Sequence, residues 1–475
     1  MILQHENIAT SLRVESPWKA CDLRGIYPSE IFPSLYQDIG SAVGSMLAFS
    51  SSVVLCGDFR LSTPALKQAL IEGLLHTGVT VLDAGQGPTP LAYFTAKMLQ
   101  ADAVLIVTAS HNPAQYNGLK LMLGSSPTTP EQFQQIREAT ESRKFRSGEG
   151  QLKEVNLVRL YTQTLMKPWV HLEAKNFGCI VLDAGSGAMS QIAPQVISGL
   201  GFAVECISCT IDGSFPDRPS DCSRTANLAA LRTAISARRN SLGIAWDGDG
   251  DRVAFVDEDG KHVSTDEISV LFARHILRQA SASTQPHRKI VVDIKLSDIV
   301  RIEIERSAGA ALLERTGHAF MRGRMVAEDA LLGLDACGHY FFRELSGGDD
   351  GLYAALFMLD ILQTSGMSLV ELRRTLPPIF STPELRIPKE YISYADALAK
   401  LCTEFSDSQF VQIDGTRFAL PDGIVLIRES GTEPVLSLRI EGFDRQGLTR
   451  ITERCLAILP ASAILRRQLD ENAQP

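Results

Sequence analysis

Three short segments of this chain carry residue types that could do chemistry, and each follows or flanks an apolar run. Thr108-Ala109-Ser110-His111-Asn112-Pro113 comes after Val104 to Val107 and sets a hydroxyl beside an imidazole. Gly243 to Trp246 lead into Asp247-Gly248-Asp249-Gly250-Asp251-Arg252, three carboxylates at alternate positions with glycines between them. Arg428-Glu429-Ser430-Gly431-Thr432-Glu433-Pro434, with Arg439 beyond, offers two hydroxyls, several amides and two guanidinium groups.

Ser110 is expected at the carboxyl end of a buried strand, where open α/β sheets keep their ligand crevices; an ordinary turn has the same composition. Adjacent residues on an extended chain point to opposite sides, so His111 is predicted to face away from Ser110 and to be a poor base for it. No nucleophile elbow of the G-x-S-x-G kind is present. The three carboxylates repel one another and need a hard cation to sit together, and the glycines let the backbone fold tightly around it. Three metal readings compete. An EF-hand loop starting at Asp247 puts Glu258 at its twelfth position, but Arg252 replaces the required glycine and Val253 to Val256 read as a strand. A haloacid-dehalogenase site also begins strand, Asp, any residue, Asp, with the first Asp as nucleophile; there Thr or Val normally stands where this chain has Asp251. The third reading is a metal clamp for phosphoryl transfer, with Arg252 adding charge for phosphate. In the last segment Ser430 and Thr432 with free amides make a phosphate cradle that Arg428 and Arg439 can close, against a plain polar hairpin turn as the alternative.

These segments need elements to position them. Val53 to Asp58, Ile180 to Gly185 and Ile290 to Asp293 repeat one pattern: an apolar, β-branched run that reaches Asp, then a helical pattern. The aspartates lie 125 and 110 residues apart, which is domain-sized, so three similar α/β units are predicted instead of a solenoid. Ser264-Thr265-Asp266-Glu267 reads as a capping box opening a helix, and Ser297 as the N-cap of another. Pro377-Pro378 and Pro383 mark a joint before a fourth, smaller unit.

Taken in order, the three motifs resemble those of the α-D-phosphohexomutases, the bacterial phosphomannomutase/phosphoglucomutase group in particular, whose patterns are T-A-S-H-N-P, D-G-D-G-D-R and R-x-S-G-T-E-P. The resemblance runs through Asp22 to Gly25, Gly87 to Pro90, Asp212 to Pro216, Thr316 to His318 and Asp349 to Tyr353. It implies three related mixed α/β domains, 1–160, 161–263 and 264–378, and a smaller C-terminal α+β domain, 379–475, around a central cleft. It further implies that Ser110 is a phosphoserine whose phosphate shares one Mg²⁺ with Asp247, Asp249 and Asp251. Lys120 matches the family's general acid/base, and Arg24, Arg252, Lys295 and His318 match positions around the substrate. Arg428, Ser430, Gly431 and Thr432, with Arg439, would grip the phosphate that is not being transferred. The sugar-reading loop, G-E-x-S-G-H in the family, here reads Leu334-Asp335-Ala336-Cys337-Gly338-His339: His339 is kept in the catalytic set, Glu is shortened to Asp335, and Ser becomes Cys337, a weaker hydrogen-bond partner. The implied reaction interconverts hexose 1-phosphate and hexose 6-phosphate, of mannose or glucose, with a hexose 1,6-bisphosphate as intermediate and activator. Its rivals are a phosphoglucosamine mutase, a phosphatase using Asp247, and a sugar-phosphate sensor without activity.

The 475 residues exceed one compact core, and the 45% apolar and 21% charged content is that of a globular protein. A net charge of −9 speaks against nucleic acid or an anionic membrane as the main partner, and leaves a small phosphosugar open, because a small ligand feels the local field. Nine scattered cysteines fit free thiols in a reducing cytoplasm, with Cys206 and Cys209 as the only CxxC pair, read as strand filler.

Overall fold

The computed structural model describes residues 16–238, 240–281, 288–430 and 434–471. They divide into two compact units, the first running to Leu157 and including Asp212–Phe215, the second formed by Val158–Ile211 and the chain from Pro216 onward.

In the first unit the apolar runs become a mixed sheet. Its strands follow the spatial order Leu23–Ile26, Tyr116–Leu123, Ala103–Val107, Ser52–Gly57, Thr80–Gln86 and Gln151–Glu154. Ala103–Val107 is buried along its whole length, as a strand covered on both faces must be. Leu55, Leu105, Leu66 and Leu70 belong to one core, while Val54, Val104, Ile106 and Tyr93 belong to the core on the opposite face of the sheet.

The second unit holds three sheets. One orders His262–Val263, Val253–Val256, Leu242–Trp246, Ile180–Asp183 and Val204–Ile207. Another orders Ala310–Glu314, Lys289–Asp293, Leu332–Leu334, Tyr340–Phe342 and Gly348–Asp349. The last is antiparallel throughout, built on Gly423–Glu429 and Val435–Gly442, with helices Tyr394–Glu404 and Arg445–Ile458 packed on it. Three related α/β domains and a smaller α+β domain are therefore present, one in the first unit and three in the second.

The repeated aspartates have one local job. At the end of its parallel strand each accepts an N–H two residues on: Asp58 from Arg60 at 3.0 Å, Asp183 from Gly185 at 2.9 Å, Asp293 from Lys295 at 2.9 Å. A short carboxylate bonding its own backbone ends the strand and turns the chain. The capping box forms as expected: Ser264 N–H donates to the Glu267 carboxylate at 2.9 Å, Glu267 N–H returns to Ser264 Oγ at 3.3 Å, and the helix Thr265–Ser281 follows. Ser297 caps Asp298–Arg306. The apolar run Leu352 to Leu362 lies within the buried helix Gly351–Ser365, and Asp360 inside it accepts hydrogen bonds from His275 and His171, both at 2.8 Å.

Among the described residues no helix is long and apolar enough to cross a membrane. The nine cysteines are free thiols, and no metal-ligating group of three includes one among the described residues. Cys206 stands exposed on the edge strand Val204–Ile207 and Cys209 lies just beyond it.

Candidate active site

The three chemical segments and the loop Asp335 to His339 lie at the same kind of place, between the two strands of an antiparallel hairpin. Ser110 lies between Ala103–Val107 and Tyr116–Leu123, and Asp247 to Arg252 between Leu242–Trp246 and Val253–Val256. Asp335 to His339 join Leu332–Leu334 to Tyr340–Phe342, and Ser430 opens the turn between Gly423–Glu429 and Val435–Gly442. The first three turns begin at the carboxyl end of a strand that is parallel to its inner neighbour, which places site loops where such sheets hold ligands.

In the first unit Ser110 is buried with a φ of +51°. A non-glycine residue pays about 1 kcal/mol for that left-handed conformation, so the surrounding bonds must hold it. Thr108 Oγ1 accepts the Ser110 N–H at 2.9 Å and donates to Asp58 at 2.8 Å. The left-handed turn also overturns the expected divergence of Ser110 and His111: the segment is not extended, and Ser110 Oγ lies 3.4 Å from His111 Nδ1. Lys120 is half-buried on the neighbouring strand, opposite Ile106. Arg24 bonds Asp22 at 2.8 Å and the side-chain oxygen of Asn112 at 2.8 Å, so it touches the Ser110 loop directly.

In the second unit Asp247, Asp249 and Asp251 are fully buried, and one oxygen from each lies within 4.8 Å of the others. Asp247 accepts the N–H groups of Gly250 and Arg252 at 3.1 and 3.2 Å, which curls the loop, and Gly250 supplies a φ of +76°. Gly187 presses against this loop so closely that a Cβ would stand 2.7 Å from the Gly248 carbonyl. Three carboxylates cannot stay charged together in such a place without a cation, and an all-oxygen donor set suits a hard divalent ion. The residues therefore fit a metal. The strands on both sides exclude the helix-loop-helix frame of an EF-hand.

A chain of hydrogen bonds joins this loop to the histidines. Asp349 receives His318 Nε2 at 2.9 Å on one oxygen and His339 Nδ1 at 2.7 Å on the other. Arg252 Nε donates to His339 Nε2 at 2.8 Å, which requires the Nδ1–H tautomer that Asp349 accepts. Burial pushes the Asp349 carboxyl up, but the two imidazoles outweigh it and hold the group well below the ordinary carboxylate range. Arg252 and His339 also pair as backbone neighbours, so the loop Asp247 to Arg252 and the loop Asp335 to His339 are knitted together.

Asp335 is buried, and its carboxylate accepts the N–H of Cys337, inside its own loop. Lys295 Nζ lies 3.8 Å from Cys337 Sγ. Burial and the Asp335 charge raise the Cys337 thiol, and Lys295 and Arg252 only partly offset them, so the sulfur stays protonated. Arg428 pairs with Asp414 at 3.1 Å, and Ser430 N–H bonds the Val435 carbonyl at 3.0 Å across the turn. Gly431 and Thr432 lie outside the described residues. Arg439 is engaged by Asp266 at 3.0 Å, Glu441 at 2.9 Å and the Lys295 carbonyl at 2.8 Å.

Sequence reasoning gave no role to three buried residues, Arg60, Arg218 and Asp350. Arg60 is treated below. Arg218 is buried, bonds Asp183 at 2.9 Å, and donates to the carbonyl of Trp246, the residue before the acidic triad, at 2.7 Å. Asp350 caps the helix Gly351–Ser365 and accepts the Tyr161 hydroxyl at 2.7 Å. Their long-range partners are 28 to 189 residues away, which no local pattern reports. Burial pushes the Asp350 carboxyl from 3.8 up to about 7. The folded state thus holds its proton more tightly than the unfolded one, so stability from this group is whole below pH 3.8 and is lost as pH rises through about 7. Wild-type stability is expected to fall by about 2 kcal/mol between pH 5 and 8 through this group, and Asp350→Asn to flatten that slope in chemical unfolding. An unchanged slope in the variant would remove Asp350 as its source.

Signatures of the phosphoglucomutase/phosphomannomutase family match four successive segments: α/β/α domain I at residues 18–147, domain II at 160–260, domain III at 264–380 and the C-terminal domain at 389–458. A phosphomannomutase/phosphoglucomutase of Pseudomonas aeruginosa is 33% identical over 442 residues, 92% of this chain and 94% of that protein. A phosphoglucomutase of Neisseria gonorrhoeae is 33% identical, covering 94% of this chain and 97% of its own length. The crystal structure of a phosphoglucomutase/phosphomannomutase family protein from Burkholderia thailandensis superposes with a TM-score of 0.85 at 30% identity, covering 94% of this chain and 98% of that one. By these matches along nearly its whole length, the chain belongs to the phosphoglucomutase/phosphomannomutase family.

Proposed function

We propose that this chain is a magnesium-dependent phosphohexomutase of the cytoplasm, interconverting hexose 1-phosphate and hexose 6-phosphate, of mannose or glucose, through phosphoserine at Ser110. The observation that carries the reading is the trio of fully buried carboxylates at the turn of the Leu242–Trp246 hairpin, joined through Arg252 and His339 to Asp349 and His318. Three acids buried in one turn concentrate negative charge, whereas phosphoryl transfer requires concentrated positive charge, and Asp247, Asp249 and Asp251 would hold the Mg²⁺ that supplies it. Ser110 carries the phosphoryl group. Lys120, half-buried on the adjoining strand, takes and returns the proton of the reacting hydroxyl. Arg24, fixed by Asp22 and Asn112, and Lys295 meet the sugar phosphate with positive charge, as do Arg428 and Arg439 near the turn at Ser430. A hexose 1,6-bisphosphate is both the intermediate and the activator. The four sheets fall within 1–160, 161–263, 264–378 and 379–475, which supports those domain limits.

The test is a coupled assay of mannose, glucose and glucosamine 1-phosphates with glucose 1,6-bisphosphate and Mg²⁺, alongside the intact protein mass. Turnover with one phosphate on Ser110 is the expected result. Phosphate trapped on Asp247 would point to a phosphatase, and sugar-phosphate binding without turnover to a sensor.

Sugar preference should follow from Asp335 and Cys337. A carboxylate one methylene short bonds its own loop, as this one does at Cys337 N–H, and has less reach for a substrate hydroxyl. A protonated thiol beside it adds little polar discrimination. Asp335→Glu with Cys337→Ser is expected to raise kcat/KM about tenfold on mannose or glucose 1-phosphate if neither is the native substrate. A wild-type enzyme already efficient on one of them, and only harmed by the double change, would show that the loop is tuned as it stands.

A further inference from the structure

No motif singles out Arg60, yet it is among the largest fully buried side chains of the molecule. Its five N–H donors are all used. Nη1 donates to the carbonyls of Pro113 at 2.7 Å and Tyr116 at 3.0 Å, and Nη2 to those of Ser110 at 2.8 Å and Asn112 at 2.7 Å. Nε donates to Asp58 at 3.0 Å, and the face of the Phe215 ring lies 5.1 Å from the guanidinium carbon. An arginine serving only to balance Asp58 would need one or two donors; four of these go to carbonyls of a single seven-residue turn that contains Ser110. Asp58 completes the frame, since it also accepts the hydroxyl of Thr108, which in turn accepts the Ser110 N–H at 2.9 Å. The second repeat uses the same device: Arg218, held by the corresponding Asp183, grips the Trp246 carbonyl behind the metal loop.

We propose that Arg60 is the positioning residue of the nucleophile loop: by holding the carbonyls of Ser110, Asn112, Pro113 and Tyr116 it sets the direction of the Ser110 hydroxyl for phosphoryl transfer. The proposal rests on the reading of Ser110 as the phosphoryl carrier. In the priming step the P–O bond to one oxygen of a sugar bisphosphate breaks and the bond from Ser110 Oγ to phosphorus forms, while the serine proton passes to the sugar oxygen released. Such a displacement needs attacking and leaving oxygens in line, and a misplacement of about 1 Å costs on the order of 100-fold in rate. A lysine at position 60 keeps the charge beside Asp58, but one ammonium cannot span two pairs of carbonyls.

Dephosphorylated wild-type and Arg60→Lys proteins are mixed with glucose 1,6-bisphosphate and Mg²⁺, and the gain of one phosphate on Ser110 is followed by intact mass. Arg60→Lys is expected to reach the wild-type stoichiometry about 100-fold more slowly. In turnover its kcat should drop by a similar factor while KM for glucose 1-phosphate stays within about threefold. Methylguanidine should restore part of the rate to Arg60→Ala, which a general loss of packing would not allow. Phosphorylation of Arg60→Lys at the wild-type rate, or a raised KM with unchanged kcat, overturns the proposal. So does failure of both variants to fold by circular dichroism, because Arg60 would then determine the fold and not the loop. A wild-type protein that takes no phosphate at Ser110 overturns the phosphoserine reading instead.

Discussion

Ser110→Ala is expected to lower turnover by at least about 10³-fold while the protein stays folded, because the step it removes is covalent and no neighbouring group can replace the oxygen. The structure makes the stability side of this prediction specific. Ser110 is buried at a φ of +51°, where alanine has the same backbone cost as serine, and the contact of Oγ with His111 that the change removes is a long one at 3.4 Å. The thermal midpoint should therefore move by no more than a few degrees, about what 1 kcal/mol does in a chain with domains of this size. The proximity of His111 also demands a control. A phosphate on His111 would be lost in acid, whereas one on Ser110 survives it, so the wild-type protein should keep its added mass after acid treatment. Near-normal activity of Ser110→Ala in the presence of glucose 1,6-bisphosphate would take the nucleophile away from this residue.

The local pattern of the chain carried the strands, the caps and the acidic turn, because each depends on neighbours in sequence. Alternate carboxylates and glycines from Asp247 to Asp251 can fold in few ways, and they are buried together. The repeated run-to-Asp at Asp58, Asp183 and Asp293 proved to be one strand-ending turn used three times. Backbone handedness was not legible: treating Ser110 as extended placed His111 on the wrong side, since a left-handed serine depends on Asp58, acting through Thr108, and on Arg60, neither of which the segment itself contains. The buried arginines were hidden for a related reason. An arginine is normally exposed, and only its distant partners, 28 to 56 residues off for Arg60 and Arg218, reveal that it is interior. Arg439, marked by its closeness to a motif, likewise has partners far off in sequence, Asp266 and the Lys295 carbonyl.

Asp249→Asn should abolish most activity and, in chelator, make the protein more stable. The two effects have one cause. Asp247, Asp249 and Asp251 sit within 4.8 Å of one another in the interior, and without a cation their mutual repulsion opposes folding. Replacing the middle acid by its neutral isostere relieves part of that repulsion, so the metal-free variant should unfold about 1–2 kcal/mol later than metal-free wild type. Adding Mg²⁺ should reverse the order, because a ligand that binds only the folded state stabilises in proportion to its occupancy, and the variant has lost one of three anionic donors. An affinity loss of roughly 10- to 100-fold and a turnover loss of about 10²- to 10³-fold are expected. Arg252, 3.7 Å from Asp247, and His339, 3.6 Å from Asp251, cannot substitute for the ion, since they remain in place in the variant. Thermal unfolding with chelator and then with a Mg²⁺ series separates the outcomes without any substrate. Wild type that gains nothing from Mg²⁺, or that turns over fully in chelator, would leave the three aspartates as a structural cluster and end the metal reading.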